Sequence, residues 1–115
     1  MKILFVENHR VFANLITKRL LSSHIVTIVP SLALAGEALE TENFDIVLVD
    51  YDLDDGKGTD LVLKLQETSN RPKVIAVSSH SEGNMALKHA GADAICCKQD
   101  IQSIESVISQ VCEQP

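Results

Sequence analysis

The sequence predicts a single doubly wound α/β domain, a (βα)5 unit built on a five-stranded parallel sheet. Three observations carry this: five short, continuously apolar runs, helical periodicity in the segments between them, and no run followed by a tight hairpin. Strands that are apolar throughout belong in a parallel sheet covered on both faces. Consecutive parallel strands need crossover helices, and the intervening segments are long enough to hold them.

Ile3 to Val6 is the first run, and Val11, Phe12, Leu15, Ile16, Arg19 and Leu20 follow it at helical spacing. His24 to Val29 is rich in β-branched residues and stops at Pro30, after which a small-residue helix opens at Ser31. Ile46 to Val49, apolar between Asp45 and Asp50, is the most strand-like segment. A polar loop runs from Tyr51 to Gly58, and Thr59 to Gln66 reads as a helix with Leu61, Val62 and Leu65 inward. Lys73 to Val77 follows the Arg71-Pro72 break as the fourth strand, and Ser81 to His89 is a helix ended by Gly91. Ala94 to Cys97 is the fifth run. Asp100 is expected to N-cap a last helix whose Ile101, Ile104, Ile108 and Val111 form one stripe.

No linker, repeat or second composition zone divides residues 1–115, so one domain is expected, with no output domain in this chain. Ten basic residues against 16 acidic ones give a net charge of −6, and only three Phe and one Tyr are aromatic. That balance disfavours direct nucleic-acid binding, which needs a positive field and stacking surfaces. The apolar runs are far shorter than a membrane span, and the N-terminus lacks the pattern of a signal peptide, so a cytoplasmic location is expected. Cys96, Cys97 and Cys112 read as small hydrophobes, the adjacent pair facing opposite sides of a strand.

In such a sheet ligands bind outside the carboxyl ends of the strands. Glu7-Asn8 closes the first strand, Asp50 the third, Ser78-Ser79 the fourth and Lys98 the fifth, while Asp52, Asp54 and Asp55 follow in the loop after the third. Concentrated carboxylates call for a cation, and a hard divalent ion such as Mg²⁺ suits oxygen ligands. Lys98 adds a fixed positive charge and Ser78 a hydroxyl, a set suited to a phosphoryl group. Asp54 and Asp55, beside Gly56 and Gly58, also fit plain solvated turn positions.

The ordered set VENH, DIVLVDYDL, VIAVSSH and AGADAICCK resembles the receiver domain of two-component response regulators over essentially the whole chain. The resemblance implies the flavodoxin-like receiver fold of a bacterial phosphorelay protein. It implies that Asp50 accepts a phosphoryl group from a sensor histidine kinase or a histidine phosphotransfer protein. Glu7, Asn8, Asp50 and the backbone carbonyl of Asp52 would hold Mg²⁺, and Ser78 and Lys98 would each bond a phosphoryl oxygen. Asp52 and His80 fall where the family tunes the lifetime of the acyl phosphate, and Ile95 at its switch position. Such a domain is a signalling module with self-catalysed phosphotransfer and slow autodephosphorylation rather than an enzyme. It would act on a downstream protein not named by the sequence, through the face of the fourth helix, fifth strand and fifth helix (residues 82–108), a homodimer through that face included.

The chain departs from the family pattern at four places. Asn8 stands for the second acid of the first-strand pair, which predicts weaker Mg²⁺ binding; Asp54 and Gln99 replace prolines, and Ile95 replaces an aromatic residue. Two other readings follow: a degenerate receiver docking without phosphate, and a haloacid-dehalogenase-type phosphatase using Asp50-Tyr51-Asp52. The second lacks a late acidic pair, and its motif belongs on a first strand. Gly56-Lys57-Gly58 lacks P-loop spacing, the acidic edge would repel a flavin phosphate, and His9, His24, His80 and His89 lack zinc-ligand spacing.

Overall fold

A computed structural model describes residues 1–113. Five parallel strands, β1 (Lys2–Val6), β2 (Ile25–Val29), β3 (Ile46–Val49), β4 (Lys73–Ala76) and β5 (Ala94–Ile95), form one sheet in the order β2-β1-β3-β4-β5. The crossovers are α1 (Arg10–Leu20), α2 (Leu32–Thr41), α3 (Gly58–Gln66) and α4 (Ser81–Ala90), and α5 (Ile104–Glu113) closes the domain. No helix among the described residues is long and apolar enough to cross a membrane.

Side chains alternate between the faces of a strand, and that period of two divides the core in two. Leu4, Val6, Val47, Val49, Val74 and Ala76 pack with Leu61, Val62, Leu65 and Leu87 of α3 and α4. Ile3, Phe5, Ile46, Leu48, Ile75 and Val77 face the other way, onto Ala13 and Ile16 of α1 and Ile104, Ile108 and Val111 of α5. The α5 stripe is buried as expected, each residue contributing about 1.5–3 kcal/mol. The edge strand β2 is only part-covered, and Ile25 stays exposed.

Local chemistry explains most boundaries. Ser31 caps α2, its Oγ accepting the Leu34 N–H at 3.1 Å. Gly91 ends α4 at φ +125°, a conformation that favours glycine. The expected cap at Asp100 is not formed. Residues Lys98–Ser103 form 3-10 turns broken by a kink at Asp100, whose φ −111° and ψ 23° are not helical, and α5 begins only at Ile104. The strand geometry that aims Lys98 across the sheet edge has to be unwound before an α-helix can start, and a tight turn takes up the difference. The polar loop after β3 also carries structure: Asp52–Leu53 pairs antiparallel with Gly56–Lys57.

Candidate functional site

The parallel ladder runs on past the strand ends and draws separate segments of sequence to one edge. Asp50 N–H donates to Val6 O at 3.0 Å, setting Asp50 beside Glu7. Val77 N–H donates to Val49 O at 2.9 Å, which brings Ser78 next to Asp50, and Lys98 N–H donates to Ser78 O at 3.1 Å. The same alternation that splits the core decides which way these residues point. Glu7, Asp50 and Lys98 continue the α1/α5 side, whereas Ser78 continues the α4 side.

On the α1/α5 side one ammonium serves two carboxylates. Lys98 Nζ lies 2.8 Å from Glu7 Oε1 and 3.1 Å from Asp50 Oδ2. The ion pair is the sole partner of Glu7 Oε1 among the described residues, while Glu7 Oε2 accepts the His9 N–H at 3.0 Å. Asp50 Oδ1 accepts the Tyr51 N–H at 2.8 Å. Burial raises the Glu7 pKa, with the Asp50 charge adding to it, and this outweighs its bonds to Lys98 and His9. Burial pulls the Lys98 pKa down, but the bond to Glu7 and the charges of Asp50 and Glu7 outweigh it and leave it raised. Lys98 Nζ also sits 4.8 Å from the centroid of the Phe12 ring, which meets Phe5 edge-on. Phe12 therefore roofs the lysine.

On the α4 side Ser78 is buried, and its Oγ accepts the His80 N–H at 3.2 Å. His80 is exposed just before α4, and Ile95 is half-buried in β5 against the α2–α4 core. Asn8 is exposed beside Glu7, and both line a cleft with Asp54. The five acids expected together do not all converge. Asp52 pairs with Lys57. Asp55 turns to α2 and accepts the Leu32 and Ala33 N–H groups at 2.7 and 3.0 Å, which hold its pKa below the usual value. A helix N-terminus with unpaired N–H groups competes for that carboxylate, and the sequence does not show which side wins.

Three residues that sequence reasoning left out shape the site. Phe12 looks like core in the periodicity. Asn84 interrupts the helical pattern of α4 yet is almost fully buried, and a polar residue on an inward-facing position is the one signal that could have found it. Gly58 packs so tightly that a Cβ there would stand 2.1 Å from the Asp50 carbonyl oxygen.

Among the described residues no three His, Cys, Asp or Glu side chains cluster as metal ligands. Of the oxygen donors expected from the sequence, Glu7 and Asp50 meet around Lys98, and Asn8 lines the cleft beside Glu7. An all-oxygen set of this kind fits a hard divalent cation, with one charge fewer than three carboxylates would supply.

A parallel sheet with an acid-and-lysine edge defines the class, and comparison with known proteins gives the family. The family description "response regulator receiver domain" matches residues 3–109. The chain belongs to that family. No curated protein sequence matches it. Among solved structures, the receiver domain of sensor histidine kinase PA1611 from Pseudomonas aeruginosa, with a magnesium ion in its active-site cleft, superposes with TM-score 0.87 at 21% identity, covering 98% of both chains. A CheY-like receiver domain from Methylobacillus flagellatus gives 0.83 at 25% identity over 96% of this chain and 98% of its own. A Burkholderia pseudomallei response regulator holding a phosphorylated aspartic acid, a calcium ion and citrate gives 0.78 at 19% identity over 99% of this chain and 75% of its own. These likenesses establish the CheY-like receiver fold.

Proposed function

We propose that this receiver takes a phosphoryl group onto Asp50 from a phosphohistidine of a sensor histidine kinase or histidine phosphotransfer protein. The observation that carries the reading is the sharing of Lys98 between Glu7 and Asp50 at the carboxyl edge of the sheet. A carboxylate oxygen of Asp50 attacks phosphorus, the P–N bond breaks as the P–O bond forms, and the imidazole keeps the electron pair and takes a proton. Lys98 then offsets charge on the transferred oxygens, and a hydroxyl swing at Ser78 would let it donate to another. Glu7, Asn8, Asp50 and the Asp52 carbonyl would hold Mg²⁺, which supplies Lewis-acid neutralisation of that charge when bound. The relatives that carry magnesium or a phosphorylated aspartate in this fold support the assignment.

In this reading Asp52 and His80, both exposed, tune the lifetime of the acyl phosphate, and Ile95 is the switch position, with no ring to swing inward. Output runs through the face of α4, β5 and α5, onto a downstream protein or a second copy, in the bacterial cytoplasm where kinase and phosphodonor meet. Intact mass after incubation with Mg²⁺ and acetyl phosphate tests the reading. One labile phosphoryl adduct, absent in Asp50→Asn, is expected; no adduct in the native chain overturns it.

Asn8 favours a second reading, a docking module that works without phosphate. Asn8→Asp restores the third carboxylate and is expected to tighten Mg²⁺ binding about tenfold or more, read by titration of backbone amide shifts. Unchanged affinity would overturn the expectation that Asn8 weakens metal binding.

A further inference from the structure

Resting on that reading, we propose that Asn84 is a positioning residue: its buried side-chain amide fixes Ser78 against Lys98 and so sets the rate of phosphoryl transfer to Asp50. Ser78 N–H donates to Asn84 Oδ1 at 3.0 Å, and Asn84 Nδ2 donates to Ser78 O at 3.0 Å. A side-chain amide offers a donor and an acceptor side by side without any change of protonation, as a neighbouring strand does. Ser78 lies past the last paired residue of β4, and its N–H finds its partner in Asn84 rather than in a neighbouring strand.

The same Ser78 carbonyl also accepts the Lys98 N–H at 3.1 Å. One oxygen therefore joins the amide of Asn84 to the backbones of both residues that would meet phosphoryl oxygens. The segment closes on itself, because Asn84 N–H donates to His80 O at 3.1 Å and His80 N–H donates to Ser78 Oγ at 3.2 Å. Asn84 Nδ2 is also 3.5 Å from Cys97 Sγ, the residue before Lys98. Asn84 and Ser78 are each 2% exposed, so water does not replace these bonds when they are lost. Gly83 completes the fit: a Cβ there would stand 3.0 Å from Ser78 Oγ and 2.9 Å from Tyr51 Cβ.

A residue that acts through Ser78 loses the part of its effect that the Ser78 hydroxyl carries when that hydroxyl is gone, and keeps only the part that reaches Lys98 through the Ser78 carbonyl. Adduct formation with acetyl phosphate is timed in the native chain, Asn84→Ala, Ser78→Ala and the double variant. Asn84→Ala is expected to slow it about tenfold, and the double variant to be slower than Ser78→Ala by clearly less than that factor. Multiplying effects would mean a general loss of structure and overturn the proposal. Amide hydrogen exchange on the unphosphorylated chain gives a second readout: Ser78 and Lys98 lose protection in Asn84→Ala while β1 and β3 keep theirs. Uniform loss, or none, also overturns it. If Asn84→Ala does not fold, Asn84→Ser, which leaves a polar group in the pocket, takes its place. A native chain that takes no phosphoryl group would sink the receiver chemistry, while the exchange result would still decide whether Asn84 holds Ser78.

Discussion

The two ends of the sheet handle charge in opposite ways. At the amino edge the partners are matched and saturated. Arg71 grips Asp93 with two hydrogen bonds of 3.0 Å, Asp93 also accepts the Val74 N–H at 2.8 Å, and Lys2 pairs with Glu42 at 2.8 Å. Burial pushes the Asp93 pKa up, yet the Arg71 and Val74 bonds outweigh it and leave it lowered. At the carboxyl edge two buried carboxylates share one lysine, and Glu7 is left with a raised pKa. One end is built to be stable. The other holds an excess of negative charge that a cation would relieve, the kind of perturbed cluster found at functional sites.

The comparison is broken most forcefully at Gly58. A Cβ there would stand 2.1 Å from the Asp50 carbonyl and 2.9 Å from Val49 Cγ2, both fixed by the sheet. Gly58→Ala is expected to cost about 2–4 kcal/mol, because backbone has to move. Urea denaturation measures it, and a cost near zero would show that the turn after β3 is pliable rather than rigid.

Matched neutralising substitutions sharpen the contrast. Asp93→Asn removes the bidentate grip and is expected to cost about 1–3 kcal/mol at neutral pH. Because the folded pKa of Asp93 is lowered, its stabilisation is complete above the ordinary value of 3.8 and is lost as pH falls through the folded value. The gap between native and variant should therefore close under acid. A gap independent of pH would place the stabilisation in packing, not in the charge.

Glu7→Gln is expected to be nearly neutral, within about 1 kcal/mol, since it removes a carboxylate that burial disfavours and leaves Lys98 paired to Asp50. Here the sign is reversed. A raised folded pKa means a penalty present at neutral pH that fades as pH falls through the folded value, so the variant should gain on the native chain at neutral pH relative to acid. Phosphoryl transfer should fall in the same variant. A loss of stability as large as that of Asp93→Asn would erase the distinction between the two edges.

Much of this was legible in the residues. Five apolar runs and the helical stripes between them specify a parallel sheet covered on both faces, because alternation and the helical repeat are local properties of the chain. Strand ends at Glu7, Asp50, Ser78 and Lys98 also follow from the sequence, as does their meeting at one edge once the strands are parallel. What the sequence left open were choices between partners far apart in the chain. Asp55 could have joined the acidic edge, but the free N–H groups of α2 took it. Asp100 could have capped α5, but a tight turn intervened. Lys98 could have paired with Asp50 alone, yet Glu7 lies within reach of the same ammonium. Asn84 could have faced solvent, yet it is the partner of the Ser78 N–H. Periodicity and propensity act over a few residues and determine the elements; hydrogen bonds and charges act through space, and only the packed chain decides which donor meets which acceptor.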